Sequence, residues 1–198
     1  MLDDEKGGVW LGLVDGNFLR FDPVTEQFQH YSYQSLLPQQ GSTIEVLYLY
    51  KDTADVYWIC TQKGLIKAEN VLSNPKFSIY KNTPDDRNSL SNDVVSGCVN
   101  DPLQPNRYLW VSTKGGGLER LDKQTGKFEH FTEKQGLSNK VVYGILIGDD
   151  KNLWMSTNRG LVQLNPKTLI FTGFNKSDGL QDDEFNTNSF FKALSGEL

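Results

Sequence analysis

Short apolar runs alternate along the chain with polar segments rich in turn-forming residues. The stretch LWVST (109–113) is typical of a short strand with Trp110 on one face, and GLERLD (117–122) is typical of its partner strand. A period of two places alternate side chains on opposite faces of a β-strand. The glycine-rich segments between such strands have the composition of tight hairpin turns. No segment combines the apolar period of 3.6 residues with the capping residues that an amphipathic helix shows. The pattern therefore predicts an all-β chain.

The strand pattern occurs four times. Each copy is anchored on a tryptophan, at Trp10, Trp58, Trp110 and Trp154, and the intervals between them are 48, 52 and 44 residues. A glycine follows six residues after each tryptophan, at Gly16, Gly64, Gly116 and Gly160. We expect these glycines to be the turn residues with positive φ, which glycine adopts without steric cost. The markers establish an internal repeat.

Each repeat contains four predicted strands. The more apolar runs before the tryptophans, TIEVLYLY, DVVSGCVN and KVVYGILI, are typical of inner strands buried on both faces. The segments FQHYS, FEHFT and FTGFN are typical of outer strands. Repeats of about 45 residues that fold as four-stranded antiparallel meanders are blades of a β-propeller. The predicted fold is therefore all-β, a partial β-propeller.

The phase of the repeat divides residues 1–198, a single partial propeller, into blades. The predicted units are a blade lacking its inner strand at 5–32, complete blades at 43–81, 92–132 and 139–175, and the inner strand of a further blade at 186–198. An open arc exposes apolar faces and strand edges at its ends, which favours self-association. The alternatives are a ring closed within one molecule and a longer parent protein that supplies the missing blades. All four tryptophans are expected to be largely buried between blades.

Charge and composition exclude several partners. The formal net charge is −5, so the chain lacks the basic field that a nucleic acid requires. We expect no contact of this segment with a membrane, because no apolar run approaches the length of a membrane-spanning helix. MLDDEKGG does not have the pattern of a signal peptide.

Few residues suggest catalysis or metal binding. His30 and His130 occupy the same repeat position, which indicates a structural role, and two lone histidines fall short of a zinc site. Cys60 and Cys98 are predicted on different strands of different blades, which argues against a disulfide. The acidic segments lack the spacing of a calcium loop. We therefore expect no catalytic residue, no metal and no cofactor.

The segment LSNKVVYGILIGDDKNLWMSTNRGLVQLNPKT resembles the repeat of the two-component regulator propeller family, and YKNTPDDRNSLSNDVVSG is similar to that family's link between blades. SDGLQDDEFNTNSFFKALSGEL resembles the last blade of the family's second propeller. The resemblance implies the periplasmic sensing region of a bacterial sensor histidine kinase, often a hybrid protein. It implies a small-molecule or oligosaccharide ligand, and no catalysis by this segment. Blade two departs from the family pattern at its outer turn.

Two other classes of function stay open at this point. Propellers resembling antibiotic lyases carry active sites on the same scaffold, but such sites call for functional residues that break the repeat. A propeller that serves only structure or protein interaction is the third interpretation. The fold by itself does not distinguish the three.

The location of a ligand site follows from the loops. Propellers bind ligands over the central channel, at the face where the inner strands begin and the second strands turn into the third. The candidates at this face are Asn92, Asp93, Lys114, Asn139, Lys140 and Arg159. They are selected by loop position.

Overall fold

The computed structural model describes residues 1–4, 7–13, 17–33, 36, 44–52, 56–186, 190–193 and 195–197. Four antiparallel sheets follow one another along the chain, each with its strands in sequence order. The first contains β1 (Leu2–Asp3), β2 (Val9–Gly12), β3 (Asn17–Asp22) and β4 (Gln27–Ser32). The second contains β5 (Val46–Lys51), β6 (Val56–Thr61), β7 (Gly64–Glu69) and β8 (Lys76–Tyr80). The third contains β9 (Val95–Asn100), β10 (Tyr108–Thr113), β11 (Gly117–Asp122) and β12 (Lys127–Phe131). The fourth contains β13 (Val142–Ile147), β14 (Leu153–Thr157), β15 (Gly160–Asn165) and β16 (Ile170–Phe174).

These four-stranded meanders are the predicted propeller blades, and the expected fold class is confirmed. The strands of the second, third and fourth sheets lie within the ranges 43–81, 92–132 and 139–175 that the repeat marks out. Inner strands of successive blades contact one another, β5 with β9 and β9 with β13. None of the helical turns in the described part of the chain is long and apolar enough to cross a membrane.

The tryptophans pack between blades. Trp10, Trp58 and Trp110 are each 0% exposed, as expected. The Trp10 ring lies 4.8 Å from the ring of Tyr57 in the second blade. Trp154 is partly buried, and its ring lies 5.4 Å from that of Phe174 in β16. Trp10, Trp58 and Trp110 confirm the expectation of largely buried tryptophans, and the partly buried Trp154 does not contradict it.

The glycine that recurs in the hairpins has a steric reason. Gly64, Gly117 and Gly160 each begin a third strand with positive φ. A Cβ at any of them would collide with a carbonyl oxygen at the end of the adjacent outer strand. In the third blade the glycine with this role is Gly117, whereas the repeat spacing predicts Gly116. The corresponding Gly16 lies outside the described residues.

A buried ion pair joins the second and third blades. Lys123 Nζ lies 2.5 Å from Asp52 Oδ2 and donates to Asn100 Oδ1 at 2.6 Å. Asp52 also accepts from Trp58 Nε1 at 2.8 Å and from Asn100 Nδ2 at 2.8 Å. Burial raises the pKa of Asp52, but the hydrogen bonds from Lys123, Trp58 and Asn100 outweigh it and hold this pKa below its ordinary value.

The first blade differs from its prediction. Residues 5–32 are expected to lack an inner strand, but β1 occupies that edge, with Leu2 opposite Trp10 and Asp3 opposite Val9. A strand of two residues pairs through its backbone and leaves no apolar run for a pattern to detect.

The end of the chain also differs. An inner strand is predicted over 186–198, yet no residue described there lies in a strand. Phe190 instead packs on Gly144 of β13, and its ring lies 5.6 Å from that of Tyr48 in β5. Lys192 Nζ donates to the Ile147 carbonyl at 3.0 Å. Among the residues described in this segment, side-chain contacts link Phe190 and Lys192 to the inner strands.

Candidate functional site

The predicted site residues lie at the end of the blades where the inner strands begin, which we call the rim. In a four-stranded meander, the turn from the second to the third strand returns to the end at which the first strand starts. Each hairpin is bonded to the loop that enters the next inner position: Gly64 N donates to Asp93 O at 2.7 Å, Gly117 N to Lys140 O at 3.0 Å, and Gly160 N to Asp183 O at 2.5 Å. These backbone bonds hold successive rim loops together.

Two asparagines shape the entry loops. Asn92 Oδ1 accepts from Val94 N, and Asn139 Oδ1 accepts from Val141 N, each at 2.8 Å. A side-chain oxygen that accepts from the backbone two residues on closes an Asx turn. Both asparagines are partly exposed, so they build the loop and still present polar atoms at the rim.

Asp93 has a comparable structural role. Its Oδ1 accepts from Asn82 N at 2.7 Å. This bond ties the inner-strand entry of the third blade to the end of the second blade's outer strand.

Of the three cationic candidates, two lie on adjoining loops and the third lies on a separate hairpin. Lys114 N donates to Val94 O at 2.9 Å, and Gly115 N donates to Lys140 O at 3.0 Å, so Lys114 and Lys140 lie on adjoining rim segments. Arg159 lies on the hairpin of the fourth blade, where its N donates to Thr157 Oγ1 at 2.9 Å. Lys140 and Arg159 are exposed, and Lys114 is partly exposed.

Tyr143 connects the two hairpins, and the sequence does not single it out. Its hydroxyl donates to Asn158 Oδ1 at 2.6 Å, and Lys114 Nζ lies 5.7 Å from its ring centroid. Tyr143 is partly exposed. The signal available in the sequence is an aromatic residue in KVVYGILI at the position of Ser96 in DVVSGCVN. The sequence does not single out Asn158 either, because an asparagine in the TNRG hairpin is explained by its role as a turn residue.

A buried carboxyl lies beneath the rim of the third blade. Glu119 is 0% exposed and accepts from Ser91 N at 3.1 Å and from Ser91 Oγ at 2.5 Å. Burial raises the pKa of Glu119 to about 7, although the hydrogen bonds from Ser91 act in the opposite direction. His130 Nε2 lies 3.8 Å from Glu119 Oε2 and is 2.8 Å from Ser89 O.

This cluster does not have the geometry of a nucleophile and its base. The Ser91 hydroxyl is bonded to the carboxyl, and the imidazole nitrogen nearest that carboxyl is bonded to a backbone carbonyl. A catalytic serine requires a base that takes its proton and a third group that orients that base. The contacts therefore fit a structural role: they hold the segment that links the second and third blades, which contains Ser89 and Ser91, against the third blade.

The remaining candidates have structural positions. His30 lies opposite Leu19, and His130 opposite Glu119, at corresponding places in the third-to-fourth strand ladder. The described residues contain no group of three or more His, Cys, Asp or Glu side chains arranged for a metal. Cys60 and Cys98 lie on different blades, as predicted, yet adjoining blades bring their sulfur atoms to 3.5 Å. Both thiols are free and buried.

Comparisons with known proteins agree with this architecture. Residues 136–159 match the model of the family described as two component regulator propeller. That segment runs through the entry loop and second strand of the fourth blade, and includes Asn139, Lys140, Tyr143 and Arg159. Histidine kinase P4 of Formosa agariphila is 27% identical over 188 residues, which cover 91% of this chain and 13% of the kinase.

Solved structures show the same fold. The extracellular domain of a hybrid two-component system from B. thetaiotaomicron superposes with a TM-score of 0.70 and 26% identity, over 87% of this chain and 24% of that domain. Virginiamycin B lyase from Staphylococcus aureus superposes with a TM-score of 0.63 over 87% of this chain and 53% of the lyase. At 17% identity, the lyase shares the fold alone.

The chain spans only 13% of the kinase and 24% of the sensor domain. The predicted resemblance is nevertheless confirmed at three levels: the family model, the similar kinase and the similar sensor domain. Residues 136–159 match the two-component regulator propeller repeat, within a run of propeller blades similar to the extracellular domain of a hybrid two-component system.

Proposed function

We propose that this chain is a ligand-sensing, non-catalytic part of the periplasmic region of a two-component sensor histidine kinase. The ligand is a small molecule of carbohydrate type that binds at the rim. The sensor interpretation draws on the similarity to a histidine kinase and to an extracellular sensor domain.

The observation that carries the binding proposal is the grouping of Lys114, Tyr143 and Asn158. A partly exposed aromatic ring stands between an amine and an amide, on two hairpins that backbone bonds hold in place. A sugar offers an apolar ring face for an aromatic side chain and hydroxyl groups for polar ones. Convergent polar groups beside an aromatic surface are typical of small-molecule sites. Lys140 and Arg159 extend this surface with two exposed cations.

The lyase interpretation has less support. The two histidines obey the repeat, and His130 is engaged with the Ser89 carbonyl. The rim residues offer amines, amides, one guanidinium, one phenol and the Asp93 carboxylate, which accepts from Asn82 N. We assign them to recognition and loop structure rather than to proton transfer. A lyase assay on the chain, with virginiamycin B as the probe substrate, tests this alternative directly.

Calorimetric titration of the chain with a panel of neutral and acidic oligosaccharides tests the binding proposal. We expect at least one to bind, and the double variant Lys140→Ala/Arg159→Ala to weaken that binding at least about tenfold. The matched control is Lys127→Ala/Lys167→Ala, which removes two exposed cations at the opposite end of the blades. Unchanged affinity in the rim variant, or equal losses in both, would remove the rim assignment. No binding by the panel would contradict a carbohydrate ligand.

We also propose that the isolated chain self-associates through the ends of its arc. Trp154 is partly exposed and Phe191 is 77% exposed at one end, and Phe28 of the first blade is 50% exposed at the other. Contiguous exposed apolar surface favours association. Light scattering measures this directly, and a monomer of 22.4 kDa at all concentrations would contradict it.

A further inference from the structure

Cys60 and Cys98 form a buried thiol pair between the second and third blades. Cys60 is in β6 and Cys98 in β9, and both are 0% exposed. Their sulfur atoms are 3.5 Å apart. Each side chain contributes to the apolar cluster between these two blades, with Trp58, Val95 and Val111. The two thiols therefore point at each other across one interface.

The repeat gives an independent reason to treat the pair as more than core packing. Cys60 lies opposite Tyr48, as Ser112 lies opposite Gly97 and Ser156 opposite Gly144. Cys98 lies opposite Val111, as Ile145 lies opposite Met155. At the next interface the equivalent residues are thus serine and isoleucine, which pack without any sulfur. Cysteine occurs at both positions only where the two face each other.

We propose that Cys60 and Cys98 are a disulfide site that links the second blade to the third. The two thiols lose two protons and two electrons to form the S–S bond, and a disulfide oxidant, either a small molecule or a thiol–disulfide oxidoreductase, is reduced to two thiols. Oxidants of this class act in the extracytoplasmic compartment of bacteria. The biological setting of the bond therefore rests on the proposed periplasmic location.

The burial of the pair determines when the bond forms. Exchange requires a thiolate that the oxidant can reach. Burial raises the pKa of the Cys98 thiol well above its ordinary value, and neither sulfur is accessible in the folded chain. Oxidation therefore accompanies folding or opening of the interface, and the folded, reduced chain resists oxidants.

The experiment refolds the reduced chain in glutathione redox buffer, then denatures and alkylates it for intact-mass measurement. We expect the mass to fall by about 2 Da with no alkylation, and peptide mapping to join the Cys60 and Cys98 peptides. Since the residues are 38 positions apart, we expect the thermal midpoint to rise by about 5–10 °C and to fall again on reduction.

The controls are Cys60→Ser, which places the residue of the equivalent position Ser112, and Cys98→Val, which is β-branched and apolar like Ile145 at the equivalent position. Both are expected to keep the fold and to show no rise in midpoint in redox buffer. Full alkylation of both cysteines in the refolded wild-type chain would overturn the proposal. A disulfide that lowers the midpoint would overturn it too, because such a bond is incompatible with the native interface. None of these measurements depends on ligand binding, so they succeed or fail independently of the proposed function.

Discussion

Replacing Glu119 by Gln removes a titrating group from the interior of the third blade while keeping its shape. The carboxyl is 0% exposed, and burial raises its pKa from 4.5 to about 7. The unfolded chain releases this proton near pH 4.5, whereas the folded chain keeps it until about pH 7. Over that interval the unfolded state binds fewer protons, so this group lowers the stability of the wild-type chain as the pH rises.

The magnitude follows from the shift. One pKa unit corresponds to 1.36 kcal/mol, so a rise from 4.5 to about 7 corresponds to about 3 kcal/mol above pH 7. Gln does not titrate and still offers an oxygen to Ser91. We expect the free energy of unfolding of Glu119→Gln, relative to wild type, to increase by about 3 kcal/mol between pH 4.5 and pH 8.

Urea unfolding followed by tryptophan fluorescence at pH 4.5, 6, 7 and 8 measures this difference. His130 Nε2 lies 3.8 Å from the carboxyl, so the comparison is repeated in a His130→Gln background, where the trend is expected to persist. Glu133→Gln, at an exposed position, is the control for the charge change. A stability difference between Glu119→Gln and wild type that does not vary with pH would refute the reasoning.

Other substitutions test the packing between blades by the same unfolding measurement. Trp110→Ala is expected to cost about 3–5 kcal/mol, because a fully buried ring leaves a cavity. Trp154→Ala should cost less than half as much, since that ring is partly exposed; equal losses would contradict the assigned faces. Lys123→Met leaves Asp52 buried without its cation and is expected to cost about 3 kcal/mol, whereas Lys127→Met should be nearly neutral.

The repeat can be recognised in the sequence because its marker residues have structural roles within each blade. A tryptophan on the second strand and a glycine at the hairpin to the third recur at the same phase of the repeat, so their periodicity reveals both the fold and the strand phase. At Gly116 the repeat spacing predicts the wrong glycine. The TKGGG hairpin is one residue longer than TNRG, and the steric requirement falls on Gly117.

Contacts between blades could not be predicted in the same way. The pairings of Lys123 with Asp52 and of Cys60 with Cys98 join residues 71 and 38 positions apart. Their formation depends on how the blades meet, which no local pattern encodes. The position of each cysteine was predicted correctly, but the distance between them was not. For the same reason the sequence located the rim loops but not Tyr143, whose partners lie on two hairpins.

The bonds that join each rim hairpin to the following loop use backbone atoms at both ends. The donors are Gly64, Gly117 and Gly160, and the acceptors are the carbonyls of Asp93, Lys140 and Asp183. Two of the accepting residues have acidic side chains and one has a basic side chain. These bonds between hairpins and loops therefore do not depend on the side chains of the bonded residues, whereas the Asx turns at Asn92 and Asn139 do. The side chains of Lys140 and Arg159, which lie exposed on these segments, can therefore be exchanged without changing the backbone bonds that connect one blade to the next.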